Sequence, residues 1–150
     1  MSISRLPDWP ERLVQYLQNK MREPFVWGQH DCVLFALGAA QATTGVGTVD
    51  ELRGSYSSAL GAAREMRCRY GASNLTEAAN AVQREWGVDE VPLPFAQRGD
   101  IVEVDVISAE GGSGPSLGVV DLDGVHGLFA GPTGVIKVKV KDCRRAWRVG

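Results

Sequence analysis

Nine consecutive residues, Cys32 to Ala40, read Cys-Val-Leu-Phe-Ala-Leu-Gly-Ala-Ala and offer almost no polar side chain. A helix over this stretch is apolar on every side, so it has to be surrounded. The run is far shorter than the roughly 20 residues needed to cross a bilayer. Its surroundings are therefore protein, and the segment predicts a central helix with other elements packed around it. Asp31 is a good N-cap and puts Cys32 at the first helical position; Thr43-Thr44-Gly45 ends the helix.

Helical spacing recurs on both sides. Asp8, then Trp9-Pro10-Glu11, opens a first helix with Pro where its missing N–H costs nothing. Leu13, Val14, Leu17 and Met21 give it an apolar face that Pro24 closes. Ser58 to Tyr70, with Leu60, Ala63, Met66 and Tyr70, predicts another helix, stopped by Gly71. Asn74 and Glu77 have capping-box spacing before the stripe Leu75, Ala78, Ala79, Val82 and Trp86, which ends at Gly87. Val49 to Arg53 fits one further turn.

After Pro92 and Pro94 the period falls from 3.6 to 2. Ile101 to Ile107 alternates Val102, Val104 and Val106 with Glu103 and Asp105, the pattern of a half-buried strand. Ser108 to Pro115 reads as a Gly/Ser loop. Leu117–Leu122 and Val125–Ala130 form a hairpin about Asp123-Gly124, a type I′ turn pair. Val135 to Lys141 is a fourth strand and Arg145 to Val149 a fifth. Helices followed by antiparallel strands predict an α+β fold, N-terminal helices packed on a C-terminal sheet of about five strands. At 150 residues, with no internal linker, the chain reads as one domain over 1–150.

Composition removes several classes. Apolar residues at 44% and charged residues at 23% are those of a globular chain. A net charge of −2 gives no large field for nucleic acid or acidic lipid. Three separated cysteines, Cys32, Cys68 and Cys143, form no disulfide framework and no zinc pattern, so reduced thiols made in a cytoplasm are expected, with no metal and no cofactor. Met1 to Pro10 lacks the pattern of a signal peptide.

The chemistry concentrates in Pro24-Phe25-Val26-Trp27-Gly28-Gln29-His30-Asp31-Cys32. A thiol at the start of a buried helix meets unpaired N–H groups and the positive end of the helix dipole, which lower its pKa. That is where a nucleophilic cysteine belongs. Apolar filler at a helix start is the plainer role.

This segment resembles the nucleophile segment of the NlpC-type cell-wall cysteine peptidases. Arg98-Gly99-Asp100-Ile101-Val102 is similar to their Gly-Asp strand start. Ser116-Leu117-Gly118-Val119-Val120 with Asp123-Gly124 resembles the strand pair that carries their histidine. The ending Cys143-Arg144-Arg145-Ala146-Trp147-Arg148-Val149 is similar to that of small NlpC-like tail-tip proteins of tailed phages and prophages. The resemblance implies a papain-like fold acting on peptidoglycan peptide stems, with Cys32 as nucleophile.

Four positions depart from that pattern. Ser116 stands where those peptidases carry His, and Phe129 before Ala130 where they carry a second polar residue. Phe25 replaces Tyr, and Val33 replaces Ser after the nucleophile. A hydroxyl does not titrate near neutral pH and cannot take the place of a base. Two imidazoles are left. His30 precedes Cys32 by two residues and reads as a turn histidine. His126, the one weak candidate base, falls opposite to Phe129 by period 2 unless a bulge near Gly127 brings it round.

The resemblance therefore implies a phage tail-tip structural or assembly subunit (baseplate hub region) with a decayed catalytic site. It would be made in the host cytoplasm, carried in the virion, and held by tail-hub and distal-tail proteins. The alternatives are an active peptidase or amidase that opens peptidoglycan as DNA enters the cell, and a module that keeps the cleft to bind peptidoglycan peptide. The basic stretch Lys137, Lys139, Lys141, Arg144, Arg145 and Arg148 reads as a solvated strand face with lysines guarding an edge. It lacks the aromatic stacking surface of a nucleic-acid site.

Overall fold

Local signals place the helices. The computed structural model describes residues 3–47, 49–107 and 113–150. Among them lie α1 (Trp9–Lys20), α2 (Cys32–Thr44), α3 (Val49–Leu52), α4 (Ala59–Tyr70) and α5 (Leu75–Trp86). Asp31 caps α2 as expected, its carboxylate accepting from the Leu34 N–H at 3.0 Å, and Gly45 ends it in the left-handed region at φ +74°. Ser58 accepts from Gly61 N–H at 3.0 Å to start α4. Asn74 accepts from Glu77 N–H at 2.8 Å to start α5, and Glu77 accepts from the N–H of Ser73, one residue before the cap. Asp8 instead turns outward to Arg12. α1 stops at Lys20, short of Pro24.

Ten of the thirteen residues of α2 are buried, so it is the central helix. The flanking faces are narrower than their spacing suggests. Val14 on α1 and Met21 just past its end are exposed, as is Leu60 on α4, while Leu13, Leu17 and Met66 are buried. On α5, Ala78 and Val82 are buried; the side chains of Leu75 and Trp86 lie outside the description.

The strands are β1 (Glu90–Val91), β2 (Ile101–Ile107), β3 (Ser113–Val120), β4 (His126–Gly131), β5 (Gly134–Lys139) and β6 (Arg145–Trp147). They form one open antiparallel sheet of six strands, ordered β1-β6-β2-β3-β4-β5. The expected α+β class is present, with one strand more than the five read from periodicity. β1 is two residues long, too short to show a period, and pairs with β6 at Glu90↔Trp147. Of the loop expected over Ser108–Pro115, residues 108–112 lie outside the described residues, and β3 already begins at Ser113.

The sheet has two apolar faces. Ile101, Leu117 and Trp147 meet α2, α4 and α5, while Val119 and Leu128 meet α1 and α2. On the other face Val102, Val104, Val120, Phe129 and Ala146 are covered by two 3-10 turns, Leu93–Phe95 and Val140–Asp142, through Leu93, Val140 and the adjoining Cys143. β2 is therefore not half-buried. Glu103, which alternation assigned to solvent, is fully buried, because the helical layer covers its face as well.

The hairpin turn also differs. Asp123 keeps a negative φ and only Gly124 is left-handed, at φ +70°, so a type I′ pair is excluded. The loop runs over Asp121–Val125, with the Gly124 N–H donating to Asp121 and the Asp123 carboxylate accepting from the N–H groups of Val125 and His126.

Asp100 of the Gly-Asp pair holds both ends of the chain. It is fully buried. It accepts from Arg5 at 2.9 Å, Arg148 at 3.1 Å, and the N–H groups of Gln97 at 2.8 Å and Val149 at 3.0 Å. Two guanidiniums and two amides satisfy this buried carboxylate.

Candidate functional site

The segment before α2 is arranged around the Asp31 carboxylate. One oxygen accepts from Leu34 N–H; the other accepts from Gly28 N–H at 3.0 Å and from the Tyr56 hydroxyl at 2.6 Å. Asp31 is 0% exposed, so these donors replace the water it has lost. Gly28 is required for this approach. At φ +80°, a Cβ there would sit 1.8 Å from the Tyr56 carbonyl oxygen, and the Gly28 carbonyl accepts from Gly54 N–H at 2.8 Å. The Trp-Gly…Asp-Cys cluster is thus a device for seating the helix start. Trp27 packs edge-on against Phe25, with ring centroids 4.8 Å apart.

Cys32 then occupies the first residue of α2, half-buried. Its sulfur meets β3 beyond the reach of β4, whose pairing with β3 starts only at Gly118↔Phe129. There the Leu117 N–H and the Ser116 hydroxyl turn toward it. Burial pushes the thiol pKa up and the Asp31 charge adds to the rise, while Leu117 N–H, Ser116 and Val33 N–H pull it down and do not prevail. The expected activation by the helix end is thereby reversed. Desolvation favours the neutral thiol, and the N-cap that starts the helix brings a negative charge beside the sulfur.

Neither imidazole bonds to the sulfur. The His30 ring is 1% exposed and lies edge-on to Phe35, its Nδ1 3.2 Å from Glu23. Its Nε2 is buried with no hydrogen-bond partner among the described residues. Burial holds its pKa below the usual imidazole value, and Glu23 offsets this only in part. His126 opens β4 and is held to the hairpin loop, its Nδ1 2.6 Å from Asp123, whose carboxyl is held down to about 2 chiefly by this bond. No bulge intervenes at Gly127, which pairs regularly with Val120 and Val138. His126 stands opposite Asp121, five residues along β3 from Ser116, about 16 Å at strand rise. Phe129 does not face the cysteine either, since it packs with Val102 and Val104 on the far side of the sheet.

The cluster therefore brings Cys32, Ser116 and Asp31 together and leaves both histidines elsewhere. Burial raises the thiol pKa, and among the described residues no imidazole is bonded to it. Among the described residues no three His, Cys, Asp or Glu side chains are placed to hold a metal ion. Nor, among the described residues, is any helix long and apolar enough to cross a membrane. Tyr56 was not legible as a partner of Asp31; it lies 25 residues away in a Gly-Ser-Tyr-Ser-Ser stretch with no periodic signal.

A family model described as "Domain of unknown function (DUF6950)" matches residues 4–149, and the chain belongs to that family. No curated protein and no solved structure matches it.

Proposed function

We propose that this member of the DUF6950 family is a structural or assembly subunit of a phage, or phage-derived, tail tip, built on an NlpC-type papain-like fold that has lost its catalysis. One observation carries the loss: the group turned toward the Cys32 sulfur from β3 is the hydroxyl of Ser116, at the position where the resembled peptidases hold their histidine. The raised thiol pKa agrees with it, because a cysteine peptidase needs thiolate and a base that returns the proton to the leaving amine. The tail-tip assignment is supported by the sequence resemblance, which runs from Pro24 to Val149 in order. The partners are tail-hub and distal-tail proteins, and the place is the virion.

Two measurements test this together. Gradient-purified tails from the phage or prophage that encodes the chain are expected to contain it at a fixed ratio to the hub protein by quantitative mass spectrometry. Purified protein is expected to leave a cell-wall suspension turbid, with wild type and Cys32→Ala indistinguishable. Clearing by the wild type that Cys32→Ala abolishes would restore the peptidase; absence from the tails would remove the structural role.

A further inference from the structure

Three guanidiniums gather where the N-terminal segment, the turn before β2 and the C-terminal segment meet. Arg5 and Arg148 hold Asp100 from two sides, one on each carboxylate oxygen. Arg5 also lies over the Trp9 ring, 4.2 Å from its centroid, and Arg98 approaches the same ring at 5.5 Å. Arg5 thus stands between the other two. Asp100 is the only carboxylate within ion-pair distance of any of the three among the described residues. Asp8, beside Trp9 in the chain, is bonded to Arg12 instead. Three positive charges share one negative charge, and two are left over.

The cluster is also held in place with donors to spare. Besides their bonds to Asp100, Arg5 Nε donates to the Val149 carbonyl at 2.7 Å and Arg148 Nη2 to the Phe95 carbonyl at 2.7 Å. In both side chains Nη1 has no hydrogen-bond partner among the described residues, and neither nitrogen is buried. Arg98 is exposed and, beyond the Trp9 ring, has no hydrogen-bond or ion-pair partner among the described residues. Burial lowers the Arg5 pKa; Asp100 works against this, and the Arg148 and Arg98 charges add to the lowering. An anion placed against the three relieves that repulsion.

We propose that Arg5, Arg98 and Arg148 form a binding site for a phosphate dianion, either free or as the terminal group of a phosphate monoester. The planar guanidinium fork matches phosphate oxygens two at a time. A surplus of two charges suits a group that carries about −1.5 to −2 near neutral pH better than it suits a single carboxylate. A nucleic-acid backbone fits less well, because each phosphodiester carries one charge and its binders spread their contacts along a track of phosphates. The site depends neither on the state of Cys32 nor on the tail-tip assignment.

The test is isothermal titration calorimetry of the full chain with inorganic phosphate, at constant ionic strength and about pH 7.5, where the second proton is largely lost. Saturable binding at one site is expected, with acetate at least about tenfold weaker because it brings half the charge. Arg98→Gln breaks no hydrogen bond within the protein, so its melting temperature is expected to match the wild type. Its phosphate affinity is expected to fall about three- to tenfold, and Arg98→Lys to recover part of the loss. Adenosine monophosphate separates the two sources: binding tighter than phosphate assigns the site to a monoester, and weaker binding to the free ion. Three results would overturn the proposal: no saturable binding in the millimolar range, acetate binding as well as phosphate, or Arg98→Gln binding as the wild type does. So would a short DNA duplex that binds more tightly than either phosphate and is weakened by Arg98→Gln, since the occupant would then be a nucleic acid.

Discussion

Replacing Ser116 with His puts an imidazole where a hydroxyl now faces the Cys32 sulfur. A thiolate and an imidazolium about 4 Å apart attract by about 4 kcal/mol at an effective dielectric of about 20. Part of this is lost again, because both charges must form in a place where burial already disfavours the thiolate. A surplus of about 1.4–2.8 kcal/mol remains, which raises the thiolate population about 10- to 100-fold. The assay is iodoacetamide alkylation at about pH 6, well below the free-thiol pKa. The Cys32 peptide is followed by mass spectrometry, with exposed Cys68 in the same chain as reference. Ser116 is 7% exposed, so the larger ring must be shown to fit, by circular dichroism and a thermal melt. A folded Ser116→His protein whose Cys32 alkylates no faster than the wild type would refute the reasoning, since the imidazole would then not be reaching the sulfur.

Three other outcomes follow from named contacts. Tyr56→Phe removes a donor to a fully buried carboxylate and is expected to cost about 1.5–3 kcal/mol in urea unfolding; a loss under about 0.5 kcal/mol would mean Asp31 does not rely on that bond. The Cys143 thiol, pushed up to about 11 from an ordinary 9.0 by burial, should alkylate about 100-fold more slowly than Cys68 near pH 8, and equal rates would contradict its burial. For His30, burial lowers the folded-state pKa, so the unfolded chain takes up a proton that the native chain resists. Its contribution is therefore complete above about pH 6.5 and is lost as pH falls below it. Urea midpoints between roughly pH 7.5 and 5.5 should drop more steeply for the wild type than for His30→Gln, and parallel curves would remove His30 as the cause.

Much of the fold was visible in neighbouring residues. Asp31, Ser58 and Asn74 cap the helices they precede, because a cap bond spans only three residues. The apolar stretch after Cys32 predicts the central helix for a similarly short-range reason: no side of it tolerates water. The lysines of β5 do lie on an edge strand, the position their alternation indicated. Where local pattern misled, something distant had intervened. Glu103 looks solvent-facing by period, yet helices built from residues far earlier in the chain bury it. Asp123-Gly124 marks a turn correctly, but the turn type follows from the Asp123 bonds to Val125 and His126.

The same division runs through the site. From residue order alone came a cysteine at a helix start, behind an Asp cap and a glycine. That Ser116 reaches the sulfur, that Tyr56 closes on Asp31, and that the thiol becomes less acidic came from packing. Caps and periods depend on atoms a few bonds apart, which the chain carries in any conformation. Ionisation depends on how much water and which charges surround a group, and those are known once residues tens of positions apart have met.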